Sequence, residues 1–357
     1  MNFYEVDSTS ALQAKFQAQQ IAFGPIAFQA AVALRDLGIL AALEQRGKTG
    51  GTAAEVAGEL GLSEYGVKVL AEAGLGMGML LWDEAEKRFA ITKTGRFVQR
   101  DAMTRANMDF VRDINYQGFQ YLKDAIVSGK PAGLKVLGDW PTVYEGLSKL
   151  EPQARQSWLA FDHFYSDAAF AGALAQVFRN PPKRLLDVGG NTGKWTQQCL
   201  AHNADVQVTI ADLPGQLRMA ERSLAQAGCS ERVNFHPVNL LDPAGALPTG
   251  HDAIWMSQFL DCFSQPEIVS ILERAAAVMD PDDNLFILEA YWDRQQHEAA
   301  AFCLQQTSLY FTCIANGNSQ MYHSDDMRNC VRKAGLEVVE EVDDIGISHT
   351  LFRCRRV

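Results

Sequence analysis

At 357 residues the chain exceeds what one hydrophobic core usually covers, which predicts two domains, each with a core of its own. Hydrophobic residues make up 47% and charged residues 21%, values that exclude a disordered or fibrous protein. The formal net charge of -11 excludes nucleic acid as the main partner, because phosphate-backbone affinity comes largely from Lys and Arg displacing counterions.

The first residues, Met1 to Ala11, are acidic and polar and lack the basic-then-apolar order of a signal peptide. No run approaches the roughly eighteen apolar residues of a membrane span, so a soluble, cytoplasmic protein is expected. The seven cysteines are odd in number, lie only in the second half and form no CxxC pair, which suits reduced thiols, and no metal is expected.

From Ala11 to about Ala42 apolar residues recur at helical spacing, among them Phe16, Ile21, Phe23, Ile26, Val32, Leu34 and Leu40. Two readings stand: packing within the same domain, or a dimer interface. Thr52 then caps a helix and Leu62-Ser63 opens another through Ala73. Two short apolar stretches, Met79–Trp82 and Arg88–Thr92, flank a polar turn. Helix, turn, helix and a two-stranded wing predict a winged-helix module. Its second helix carries Lys68 but also Glu64 and Glu72, which favours a structural or dimerising role over reading DNA.

Residues 103–178 predict further helices rich in aromatics. Asn180-Pro181-Pro182 breaks the last of them, giving expected domains of 1–180 and 181–357. Beyond it, seven strand candidates alternate with helices. They are Arg184–Val188, Gln207–Ala211, Val233–Pro237, Ala253–Met256, Leu285–Glu289, Leu336–Val342 and Ser348–Cys354. The pattern predicts an α/β domain with a doubly wound, mostly parallel seven-stranded sheet, closed by an antiparallel edge hairpin.

The informative stretch is Leu185-Leu186-Asp187-Val188-Gly189-Gly190-Asn191-Thr192-Gly193, a strand running into a glycine-rich turn and a helix. A dinucleotide fold wants G-x-G-x-x-G; here Gly189 and Gly190 are adjacent and Asp187 precedes them. A carboxylate would repel a pyrophosphate, but it suits the ammonium group of S-adenosylmethionine. Asp212 closes the second strand, placed to accept from both ribose hydroxyls, with Leu213 after it. At the third strand's end Asn239 offers a polar group to an adenine amine and Leu240 an apolar face to its ring.

In these residues, and in Phe161–Asp167, SQFLDCF and LFILEA, the chain resembles the small-molecule O-methyltransferases typified by plant caffeate and bacterial polyketide enzymes, over essentially its whole length. The resemblance implies a Rossmann-like cofactor domain, a homodimer built on the winged-helix half, and an aromatic or polyketide-like acceptor. It implies S-adenosylmethionine held by Asp187, Gly189, Gly190, Gly193, Asp212, Leu213, Asn239 and Leu240, with Ser257, Gln258 and Tyr165 at the methionine end. His163, Phe259 and Phe311 would line the acceptor pocket.

The departures fall at the catalytic positions. Where the family's fourth-strand motif places a general-base His, this chain has Asp261; Glu289 matches the first supporting Glu, and the second, near Met321, has no acidic counterpart. A phenol near pKa 10 passing its proton to an ordinary Asp near 3.9 is uphill by roughly 8 kcal/mol, against about 5 for an ordinary His. Three readings follow: burial beside Glu289 raises Asp261; the acceptor is more acidic than a phenol or is methylated on carbon; or His323 or His163 replaces the missing base. The same fold with no methyl transfer, and a winged-helix regulator sensing S-adenosylmethionine, are the other functions the pattern allows.

Overall fold

The computed structural model describes residues 3–242 and 244–357. They form two compact units, Phe3–Asp113 and Ile114–Val357. The division falls at Asp113, so the break expected at 180/181 marks the change from helices to strands inside the second unit.

In the first unit, helices α1 (Ala11–Ala22), α2 (Gly24–Asp36) and α3 (Ile39–Gln45) take up the apolar N-terminal segment. Ser10 and Gln13 form a reciprocal capping box that starts α1. Helix α1 buries none of its residues: Leu12, Phe16 and Ile21 are 82%, 57% and 79% exposed. Helices α2 and α3 instead supply a core, with Leu34, Ile39 and Leu40 fully buried. Helices α4 (Ala53–Leu60) and α5 (Glu64–Gly76), capped by Thr52 and Ser63, precede the hairpin of β1 (Leu80–Asp83) and β2 (Arg88–Ile91). Helices α6 (Lys93–Arg100) and α7 (Ala102–Phe110) complete the unit. The buried Arg35 donates to Asp36 at 2.7 Å and to Asp109 at 2.5 Å, tying α2 to α7.

The second unit opens with α8 (Leu122–Ser128), α9 (Val143–Gly146), α10 (Pro152–Ser166) and α11 (Phe170–Val177). Strands β3 (Arg184–Val188), β4 (Gln207–Asp212), β5 (Val233–Pro237), β6 (Ala253–Ser257) and β7 (Asn284–Glu289) then alternate with α12 (Lys194–His202), α13 (Pro214–Gln226) and α14 (Gln265–Ala277). Helices α15 (Glu298–Tyr310) and α16 (Ser324–Lys333) lead to β8 (Leu336–Ile345) and β9 (His349–Arg356). The sheet order is β5-β4-β3-β6-β7-β9-β8, parallel except for β9, which runs antiparallel to both neighbours.

Alternation along the strands explains why both faces are covered. Leu186, Ile254 and Ile287 join one buried cluster, while their neighbours Leu185, Trp255 and Leu288 join another. The order reverses at β3, which lies between β4 and β6, so the open crevice for a ligand falls at the carboxyl ends of these strands. Helix α15 ends at Tyr310 and the chain continues as a π-helical turn, Phe311–Ala315. Among the described residues no single helix is long and apolar enough to cross a membrane, and all seven cysteines are free.

Candidate active site

At the switch point an open cleft is bounded by Gly189, Gly190, Asn191, Thr192 and Lys194 on one side and by Ser257 and Gln258 on another. Asp162, His163, Ser166 and Asp167 of α10 and its end, with the buried Asp187, complete its polar lining. The turn after β3 is left-handed at Gly189 (φ 75°), and the non-glycine residues Asn191 (φ 49°) and Gln258 (φ 47°) share that conformation. Backbone strain of this kind costs about 1–3 kcal/mol per residue and persists only where the surroundings enforce it. Here Gly189 N donates to Ala211 O and Gln258 N to Leu288 O, both at 2.9 Å. A Cβ on Gly189 would run into the Phe259 ring, and one on Gly190 would lie 2.8 Å from Asp187 Oδ2.

Asp187 accepts from the Thr196 hydroxyl at 2.7 Å, and burial pushes its carboxyl up to about 7. Asp212 accepts from the Asn191 and Leu213 amides at 2.9 and 2.6 Å, which draws the end of β4 onto the turn and leaves lone pairs for a ligand hydroxyl. Gly193 does not line the cleft; it opens α12 against Leu224. Leu213 is half-buried at the start of α13. Asn239 is exposed and its amide oxygen accepts from Leu241 N at 3.0 Å, so the atom expected to take an adenine amine also closes its own turn; Leu240 is buried beside it. Tyr165 packs on Phe161 and Phe164 rather than on the cleft.

Beyond Gln258 the chain carries its acids inward. Glu289 at the end of β7 is 1% exposed; its Oε1 accepts from Phe259 N at 3.0 Å and Leu260 N at 2.8 Å, fixing the backbone just before Asp261. Its Oε2 is buried without a hydrogen-bond partner. Burial and the charge of Asp261 push Glu289 well above the usual carboxylate range. Asp261 is 6% exposed, accepts from the Cys262 thiol at 3.4 Å, and is raised by burial to about 6. The phenols of Tyr144 and Tyr310 lie in its field, and Trp158 Nε1 donates to the Tyr310 hydroxyl at 2.8 Å. Phe259 packs edge-on to Phe263, and Phe311 is buried next to Tyr310.

Two histidine readings separate. His163 does line the cleft, its Nδ1 3.5 Å from Asp167 and 4.0 Å from Asp162. His323 caps α16, its Nδ1 accepting from Asp325 N at 3.1 Å and its ring against Trp292. Its Nδ1 lone pair is committed to that cap, and the residue does not line the cleft, so its place as a base is corrected. Phe302 is exposed and Trp292 packs on His323, so neither lines the cleft. Sequence reasoning missed Asp162 and Lys194. Asp162 stands inside the Phe161–Asp167 segment, and Lys194 opens the helix after the glycine turn, so the positions were marked but the roles were not.

Residues 119–337 match the model of the O-methyltransferase domain, and residues 15–89 that of the Dimerisation2-like domain. The chain belongs to the O-methyltransferase family. An L-tyrosine C(3)-methyltransferase of Streptomyces lavendulae is 23% identical over 328 residues, 90% of this chain and 87% of that protein. Among solved structures, the S-adenosylmethionine-dependent methyltransferase SibL in its apo form shares the fold at a TM-score of 0.73 and 24% identity, over 95% of this chain and 98% of that one. NcsB1 from neocarzinostatin biosynthesis, solved with S-adenosylmethionine and 2-hydroxy-5-methyl naphthoic acid, shares it at 0.68 and 20%, over 98% and 100%.

S-adenosylmethionine is the methyl donor of this enzyme family, and the cleft of this methyltransferase fits such a molecule. Its glycine turn leaves backbone open to close approach. Its lining holds three carboxylates, Asp162, Asp167 and Asp187, of which only Asp167 has a lysine partner, Lys194 at 2.8 Å. Asp187, buried and raised by that burial, and Asp162 near it give the cleft an acidic lining that suits a cationic ligand.

Proposed function

We propose that this methyltransferase methylates the hydroxyl of a small aromatic acceptor, with Asp261 as the general base and Glu289 holding it in place. The observation that carries the reading is the burial of Asp261 in the turn after β6, where its carboxyl is raised to about 6. Proton transfer from a phenol near 10 is then uphill by about 5 kcal/mol, close to the figure for an ordinary His and about 3 below that for an ordinary Asp. Burial thus compensates for the family histidine that this chain lacks.

When bound, S-adenosylmethionine supplies an electrophilic methyl group on its sulfonium. The residues that would hold it are Asp187, Gly189, Gly190, Ser257 and Gln258 along the cleft, with Asp212 at the turn. Asp261 takes the hydroxyl proton at Oδ, Glu289 keeps the Phe259–Leu260 backbone still, and Tyr144 and Tyr310 offer phenolic groups beside the acceptor. Alignment of nucleophile and methyl group supplies the larger part of such catalysis.

Methylation at carbon is the second reading, favoured by the S. lavendulae relative that acts on C(3) of tyrosine. The test incubates the protein with methyl-labelled S-adenosylmethionine and a panel of phenols. A labelled methyl ether with stoichiometric S-adenosylhomocysteine supports O-methylation, and a labelled ring carbon supports the second reading. Asp261→Ala should cut turnover by more than about a hundredfold, the usual scale for loss of a general base; near-normal turnover would reject Asp261 in that role.

A further inference from the structure

Resting on that placement of the donor, we infer that Lys194 receives the α-carboxylate at the methionine end of S-adenosylmethionine and makes this methyltransferase selective for donors that keep that group. Near neutral pH this end of the donor carries a sulfonium, an ammonium and a carboxylate. The first two suit the acids of the cleft. The carboxylate needs a cation or free N–H donors, because an anion taken from water without such partners is costly to bind.

Most of the neutral donors at the cleft are already used. Gly189 N donates to Ala211 O, Gly193 N to Gly190 O and Gln258 N to Leu288 O. Asn191 N donates to Asp212, and the Ser166 hydroxyl to Asp167 at 3.2 Å. Lys194 is the only lysine or arginine among the described residues that line the cleft.

Two contacts place its ammonium. Lys194 opens α12 directly after the glycine turn, and the next residue, Trp195, stacks on Trp255 of β6 with ring centroids 4.1 Å apart. The start of α12 is thereby brought to the strand that runs into Ser257 and Gln258, where the methionine end lies. Asp212, the acid for the ribose, ends β4 on the other side of β3. From that position Lys194 Nζ reaches Asp167 at the end of α10, 2.8 Å away. Asp167 occupies one of the three N–H groups of the ammonium with Oδ2 and turns Oδ1 toward His163 Nδ1 at 3.5 Å. The pair therefore holds the lysine at the cleft and leaves two N–H groups for a ligand carboxylate. Lys194 and Asp167 are 40% and 42% exposed, so the gain is that of a half-solvated charged contact, about fivefold in affinity.

The test is calorimetric titration of the full-length protein with S-adenosylhomocysteine and with decarboxylated S-adenosylhomocysteine, which keeps the adenosyl group, the thioether and the amine. The parent protein should bind the carboxylated ligand about fivefold more tightly or better. Lys194→Met should bring the ratio near one by weakening S-adenosylhomocysteine alone, and Lys194→Arg should keep the preference. Folding is checked by circular dichroism, and Lys194→Gln takes the place of Lys194→Met should that variant not fold. A ratio unchanged in the folded variant overturns the inference. So does an equal loss for both ligands, which would mark the lysine as structural. A parent protein that binds both ligands equally overturns this inference and leaves the donor reading standing. Failure of S-adenosylhomocysteine itself to bind overturns the donor reading and, with it, this one.

Discussion

Asp261 and Asp187 are both lifted by burial, and the two lifts have opposite uses. For Asp261 the working form is the ionised one, so kcat/KM should climb about tenfold per pH unit below about 6 and level off above it. A rate profile flat from pH 5 to 8 would remove Asp261 from the mechanism. The groups facing it are Asp162, Glu289, Cys262, Tyr144, Tyr310 and Tyr322, and the Asp162 carboxyl, also raised to about 6, belongs to the same macroscopic step. For Asp187 the consequence is one of stability. Its folded value near 7 exceeds the unfolded value near 3.9, so its favourable contribution is complete below about pH 4 and is lost as pH rises through 7. Asp187→Asn keeps an oxygen for the Thr196 hydroxyl. In thermal melts it should unfold a few degrees higher than the parent at pH 8 and at the same temperature near pH 4. At this scale the sequence was half legible. The motif placed Asp187, Gly189, Gly190, Ser257 and Gln258 on the cleft. It could not show that Asn239 spends an amide lone pair on its own turn, or that His323 is a cap, because both depend on local backbone geometry.

Among the elements, the turn between β3 and α12 concentrates the constraint. Gly189→Ala places a Cβ both in left-handed backbone and against the Phe259 ring. The expected cost is about 1–3 kcal/mol in folding stability, together with a large loss of S-adenosylhomocysteine affinity by calorimetry. An unchanged affinity would separate the turn from the donor site. The strands were readable because their buried runs, Leu185–Val188, Ala253–Met256 and Leu285–Glu289, are apolar on both faces apart from Asp187 and Glu289. The π-helical turns at Val111–Asn115 and Phe311–Ala315 were not, since a one-residue change in hydrogen-bond register leaves no mark in hydrophobic spacing. Asp162 was passed over for a similar reason. In sequence it is one acid among aromatics on a helix, and only the placement of α10 beside the turn after β3 puts it on the cleft.

For the whole molecule, the sequence left the apolar N-terminal segment between a core role and an interface role, and the fold divides it. Helices α2 and α3 bury their apolar residues, whereas α1 leaves Leu12, Phe16 and Ile21 to solvent. With residues 15–89 matching a Dimerisation2-like domain, the exposed apolar face of α1 is where we propose that two copies of the chain meet. Replacing Phe16 and Ile21 together by Glu should convert it to a monomer in light scattering while the far-ultraviolet circular dichroism is retained; an unaltered dimer would place the interface elsewhere.

The sheet order also has a bearing on how the protein is made. Strand β7 lies against β6 on one side, but its other partner is β9, which emerges only after α15, α16 and β8. During synthesis the apolar edge of β7 therefore stays open while about sixty residues are added. Glu289, which ends that strand and pairs across to Thr350, stays unenclosed for the same interval. The acid that steadies the Asp261 loop is thus among the last parts of the molecule to be closed in, and a nascent chain stalled before β9 should be prone to aggregation and devoid of activity.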